Sequence, residues 1–222
     1  ISKYEKLYDI DVVGMPTLKQ SNREKALQRL MTINMLKRLE SCVDSFRITI
    51  QNVKSASVKT MELIEIFESN GKESSYDLDT INIDDFDEDD FDLSEGTIGK
   101  IKIDFKDMDL RRYKADLDHD IKTLETLYDI MCYITPDKDL KLQKLIEVVS
   151  NKIENPINEG NKKVLIFSAF ADTTNYLYYH LSKYVKTKYG MHSCRIQGNS
   201  NGNASTIPGS RDTDRLLTMF SP

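Results

Sequence analysis

The chain has 222 residues, 39% of them hydrophobic and 30% charged, with a formal net charge of −5. That length admits one large domain or two small ones with a sizeable core, and the negative total argues against tight, nonspecific nucleic-acid binding by the whole surface. The three cysteines, Cys42, Cys132 and Cys194, lie far apart with no CxxC pair, which supports neither a zinc ribbon nor a disulfide framework and fits small buried residues in a reducing compartment.

The N-terminal stretch ISKYEKLYDID carries charges where a signal peptide needs an apolar core. No apolar run approaches ~20 residues, so no membrane span is expected and a soluble, cytoplasmic protein is. The chain starts at Ile1 rather than Met and ends at Pro222, just after a predicted helix, which reads as a piece of a larger protein.

A long helix is expected from Ser21-Asn22, which can cap it, with Glu24 in its first turn. Met31, Met35, Leu39, Cys42, Val43, Phe46, Ile50 and Val53 recur at spacings of three and four and form one continuous apolar stripe. The pattern extends through Met61, Ile64 and Phe67 to a stop at Asn70-Gly71. Residues 72–100 have few large aliphatics and many acids, with Asp84, Asp85, Asp87, Glu88, Asp89, Asp90 and Asp92 in one short run. This reads as an insertion, either a solvated linker or a segment whose Phe86 and Phe91 dock on a partner.

A second long helix is predicted over 108–134, with Leu117, Ile121, Leu124, Tyr128 and Met131 near heptad spacing. Two such stripes predict an antiparallel helical hairpin. Thr135-Pro136 reads as the cap and first position of a third helix, which turns Leu142, Leu145, Ile146, Val149 and Ile153 inward. Asn155-Pro156 and Glu159-Gly160-Asn161 then turn the chain into KVLIFSAFADTTNYL, Lys163 to Leu177. Val164 to Phe167 is an apolar run of strand type, and an amphipathic helix follows it to Tyr189-Gly190. A second strand is expected over 193–197, stopping at Gly198, then a loop rich in Gly, Asn, Ser and Pro over 199–210, then a short helix over 212–220. Two strands joined by a helix of this length predict a parallel, right-handed crossover.

The common enzyme signatures are absent. No G-x-x-x-x-G-K-[ST] exists, and no nucleophile elbow or H-E-x-x-H. Asp87-Glu88-Asp89-Asp90 imitates a magnesium box but lacks the apolar strand such a box needs before it. His119, His180 and His192 have no acid or cysteine at ligand spacing. No residue of this chain is assigned a catalytic or metal-ligating role.

The order Asp139-Leu140-Lys141-Leu142, helix, KVLIFSAF, helix, strand ending in Gly198 resembles the opening of the second RecA-like lobe of Swi2/Snf2-type superfamily 2 helicases. LKRLESCVDSFR, Leu36 to Arg47, looks like the L-K-R-x-E-S-S-x-x-A-F-R helix that precedes that lobe in large bacterial members. The resemblance covers roughly residues 27–49 and 137–222. It implies an α/β fold: residues 1–135 a helical protrusion with the acidic insertion, and residues 136–222 the front half of a partial RecA-like parallel sheet. It also implies an ATP-dependent DNA helicase or translocase. The partners implied are double-stranded DNA and the first RecA-like lobe of the same chain. ATP and Mg²⁺ would bind outside these residues, so this chain alone would not hydrolyse ATP.

Within that resemblance Ser168 to Thr174 is helicase motif IV, facing the nucleic-acid track. Ser168, Phe170, Thr173, Thr174 and Gly198 become candidate nucleic-acid-binding residues. Hydroxyls and helix N-terminal amides there suit phosphate oxygens and carry no sequence information. Helix capping explains the threonines equally well, and Gly198 reads equally as a turn glycine. A rival expectation from another class is a helical protein–protein interaction module without catalytic activity.

Overall fold

The computed structural model describes residues 9, 19–69, 104–198, 202–209 and 211–221. The acidic insertion, its Asp87–Asp90 run, and Phe86 and Phe91 lie outside the described residues. Six α-helices and one short hairpin are present among those described: α1 Gln20–Ser41, α2 Val43–Ser69, α3 Leu110–Cys132, α4 Leu140–Glu154, α5 Ala171–Tyr189, β1 Cys194–Arg195, β2 Ala204–Ser205 and α6 Thr213–Phe220. The chain forms two compact units, Ile1–Arg38 with Arg47–Cys132, and Leu39–Phe46 with Tyr133–Pro222. No helix of the described residues is long and apolar enough to cross a membrane.

In the first unit α2 and α3 run antiparallel. Lys54, early in α2, pairs with Glu125, late in α3, at 3.1 Å, and Glu68 at the far end of α2 pairs with Lys114 at 3.0 Å. These exposed pairs fix register more than they stabilise. The stability comes from Ile64, Phe67, Phe105, Met108 and Leu117, which form one buried cluster. Phe105 reaches it from a 3₁₀ turn, Phe105–Asp107, in which the Asp104 carboxylate accepts from the Lys106 amide. Its ring meets Phe67 edge-on at 5.5 Å. Such a pair contributes about 0.5–1.5 kcal/mol beyond its buried area.

The single long helix expected from Ser21 to Asn70 is two helices. The break falls at Cys42, whose Sγ accepts from the Ser45 amide at 3.2 Å. The thiol takes the place of a capping oxygen, satisfying one of the amides that a new helix start leaves open. The apolar spacing continues through the break, with Cys42, Phe46 and Ile50 buried, so periodicity gives no sign of it, although Leu39 of the same stripe is exposed.

In the second unit α4 starts later than its sequence suggests. Thr135 accepts backbone bonds from Lys138 and Asp139 and closes a turn that contains Pro136. The N-cap is Asp139, whose Oδ1 accepts from Lys141 and Leu142 amides at 3.0 Å each. Leu142, Val149 and Ile153 point inward as expected. Helix α5 ends at Gly190, in the left-handed conformation at φ 67°, which glycine adopts without a Cβ clash. Asp212 caps α6 through the Arg215 amide, and Leu216 alone of that helix is deeply buried.

The expected RecA-like parallel sheet is not formed. The only sheet among the described residues is antiparallel, pairing Cys194 with Ser205 and Arg195 with Ala204. Val164–Phe167 is not a strand, because no backbone partner lies beside it among the described residues. An apolar run encodes local extension, but a strand exists only when a second segment supplies the ladder. Ala204–Ser205 instead pairs antiparallel with β1, which needs only a short connection in sequence. The architecture is therefore mostly helical.

Candidate functional site

The five candidate residues sit at the start of α5 and beside β1. Ser168 is half-buried and closes a local turn: its Oγ accepts from the Phe170 amide at 3.2 Å. Phe170 occupies the N-cap of α5, is buried, and has no side-chain oxygen to offer the first turn. The α5 N-terminus thus lacks a side-chain cap.

Thr173 turns inward. Its hydroxyl lies 2.7 Å from Ser41 Oγ and 3.4 Å from Cys42 Sγ, and only 4% of the residue is exposed. Thr174 points the other way; its Oγ1 donates to the Ala171 carbonyl at 2.7 Å. The same Oγ1 accepts from Gln197 Nε2 at 3.0 Å, and that amide also reaches Asn175 Oδ1 at 2.9 Å. Gln197 thereby ties the end of the β1 segment, next to Gly198, to the first turn of α5. Gly198 has open space around it, so nothing packs against the position a side chain would take. The structure brings Ser168, Phe170, Thr174 and Gly198 to one end of α5 and directs Thr173 into the core.

Several residues that hold this end together carried no strong signal. Asn203 is buried with every polar atom used: Oδ1 accepts from the Gln197 amide at 3.1 Å, and Nδ2 donates to the Arg211 carbonyl at 3.1 Å and Thr213 Oγ1 at 2.8 Å. Gly202 lies so close to Gln197 that a Cβ there would collide with its side-chain oxygen. An N-G-N turn hints at such a clasp but does not name its partners. Arg195 donates to the Gly202 carbonyl and stacks over the Tyr178 ring at 5.6 Å. Burial pushes the Tyr178 hydroxyl pKa up despite the nearby arginine.

A groove of about 660 Å³ opens beside this end, lined by residues 162–168, α5, residues 191–196 and α6. Residues 133–222 carry 12 Lys and Arg against 8 Asp and Glu, whereas the first 132 residues carry 19 against 28. The half that holds the candidate residues is the basic half.

The histidines make no catalytic arrangement. His180 packs against Tyr176 and Tyr179 at 4.7 and 5.0 Å between centroids, and His192 bonds Thr206. Among the described residues no three His, Cys, Asp or Glu side chains converge on a point that suits a metal ion. Neither these residues nor the sequence supplies a phosphate loop or magnesium carboxylates, so they do not fit ATP and Mg²⁺. What the site presents is the first turn of α5, which carries the acidic Asp172, with the Thr174 hydroxyl bonded to Ala171 and Gln197. Comparison of the chain with protein-family models, with curated proteins and with solved structures found no match to any of them.

Proposed function

We propose that the chain contributes a DNA-facing part of the second lobe of a Swi2/Snf2-type, ATP-dependent helicase or translocase, with ATP and Mg²⁺ held by residues other than these. One observation supports this reading above the others. The three stretches that carry the resemblance, about 100 and 130 residues apart, pack on each other. Cys42 of LKRLESCVDSFR, Leu142 of the DLKL stretch and Tyr176 of the segment after KVLIFSAF form one buried cluster. Ser41 and Thr173 are bonded within it, and so are Tyr176 and Asp139. Motif residues that serve one device are expected to assemble in this way. In this reading the DNA backbone meets the start of α5, Thr174 and Arg211, and Thr173 supports the helix from beneath.

A titration of the chain with double-stranded DNA at several salt concentrations tests it. Affinity should fall steeply with salt, and Arg211→Glu should weaken it about tenfold and flatten the salt slope by about 1. A chain that binds no DNA, or an Arg211→Glu variant that binds like the parent, would remove the reading.

A helical interaction module without catalysis is the second reading. The observation that favours it is the exposure of Ile33 and Leu36 on α1, at 50% and 56%. Loss of DNA binding in the titration would leave this reading in place.

A further inference from the structure

The stretch Val164–Phe167 is apolar, lies outside any helix or strand and makes no hydrogen bond among the described residues. Leu165 is 64% exposed, Ile166 40% and Phe167 85%. Only Val164 is packed, against the cluster of Val149, Ile153 and Val185. Four consecutive large apolar side chains on an open backbone are unusual for a surface, where a run of this kind marks a site of association. Among the described residues no hydrogen bond engages the amides or carbonyls of Val164–Phe167, whereas the Lys163 amide is capped by Asn161 Oδ1 and the Phe170 amide by Ser168 Oγ. The bonded residues bracket an open stretch of ladder.

The same segment forms one wall of the 660 Å³ groove. The opposite walls are Leu177, Leu181 and Val185 of α5 and Leu216 of α6. The charged side chains that line the groove are Lys162, Lys163 and Arg195; no acid lines it. A helix laid against this wall would leave the backbone groups of Val164–Phe167 without partners, because its own amides are bonded internally. A small apolar ligand would leave them unpaired in the same way. An extended chain bonds the backbone groups of alternate residues along one edge of Val164–Phe167 and covers the apolar floor, and the cations favour acidic residues beside its apolar ones.

We propose that Lys163–Ser168 is a docking edge for an extended strand of another polypeptide, with apolar residues facing the groove and acidic residues at its ends. The strand adds main-chain hydrogen bonds along Val164–Phe167 and buries side chains against α5 and α6. This proposal differs from the DNA reading in its occupant and its contacts, the backbone of Val164–Phe167, although Ser168 and Thr174 border both.

The test uses the whole chain and a short synthetic peptide of alternating valine and threonine with a glutamate at each end. Fluorescence anisotropy of the labelled peptide should show saturable binding. Hydrogen exchange of the alternate amides within residues 164–167 that face the added strand should slow about tenfold or more on saturation. The double variant Lys162→Glu, Lys163→Glu, altered only at exposed positions, should weaken binding about tenfold. A peptide with a central proline, which removes a donor, should not bind. Binding without slowed exchange at 164–167 would overturn the proposal, as would no saturable binding. Slow exchange at 164–167 in the chain alone would overturn it too: independent of concentration, the edge is covered from within the chain; rising with concentration, a second copy is the occupant.

Discussion

The Tyr176 hydroxyl donates to Asp139 Oδ2 at 3.0 Å, and both residues are more than nine-tenths buried. Asp139 uses its other oxygen to cap α4, so one carboxylate joins the start of α4 to the first turns of α5. Tyr176→Phe should therefore destabilise the second unit by about 1–2 kcal/mol, the cost of one charge-assisted bond. Asp139→Ala should cost about 2–4 kcal/mol, since it removes the cap and strands a buried hydroxyl. Denaturant unfolding followed by circular dichroism measures both. The double variant should cost less than the two single costs added together.

Thr173 separates two roles by experiment. Thr173→Val keeps its shape and removes its bonds to Ser41 and Cys42. Stability should fall by about 1–2 kcal/mol, with DNA affinity changed less than twofold. Unchanged stability with a large loss of DNA affinity would mean that the hydroxyl faces the ligand after all.

The cysteines should label unequally. Cys42 is buried, with Sγ accepting from the Ser45 amide, while Cys132 and Cys194 are exposed. A thiol reagent at mildly alkaline pH should modify two thiols in the native chain and the third only on denaturation. Cys132 should react before Cys194, because desolvation pushes the Cys194 thiol pKa up and lowers its thiolate fraction. Mass spectrometry of the labelled peptides gives the order.

At the far end of α5, Glu154 accepts from the Tyr189 hydroxyl at 2.5 Å and from Lys188 at 2.9 Å. The Tyr189 bond first, then Lys188, hold its carboxyl below the ordinary value of 4.5. A depressed carboxyl contributes stability that is present above its unfolded pKa and lost as pH falls through its lower folded value. The last turn of α5 should fray more as the solution is acidified below about pH 4.5. In Glu154→Gln that turn should exchange faster at neutral pH and lose this acid dependence. Hydrogen exchange of residues 185–190 at two pH values measures it, and added salt should shrink the difference between the variants.

Much of the helical fold can be read from residue spacing. The stripes of Leu117 and Leu124, and of Leu142, Val149 and Ile153, are buried as their spacing implies, and Gly190 ends α5 where its freedom is needed. Local signals misled where two of them competed. Thr135-Pro136 carries the pattern of a helix start, but Asp139 takes that role because its carboxylate reaches two amides and a tyrosine together. Pairing was illegible for a different reason. Val164–Phe167 has the composition of a strand, and composition says nothing of who lies beside it. The candidate residues follow the same division: that Thr173 and Thr174 open a helix is local, whereas the turning of Thr173 toward Ser41 depends on a contact across 132 positions.

The seat of Cys42 between Leu142 and Tyr176 limits how the polypeptide can be dissected. The eight residues around it complete one body while their neighbours on both sides complete the other, so the backbone changes membership three times along its length. No single scission releases either body intact. A recombinant piece beginning at Tyr133 would leave a hollow where the thiol belongs and Thr173 without its hydroxyl neighbour. Supplying residues 39–46 as a separate peptide is the direct way to refill it.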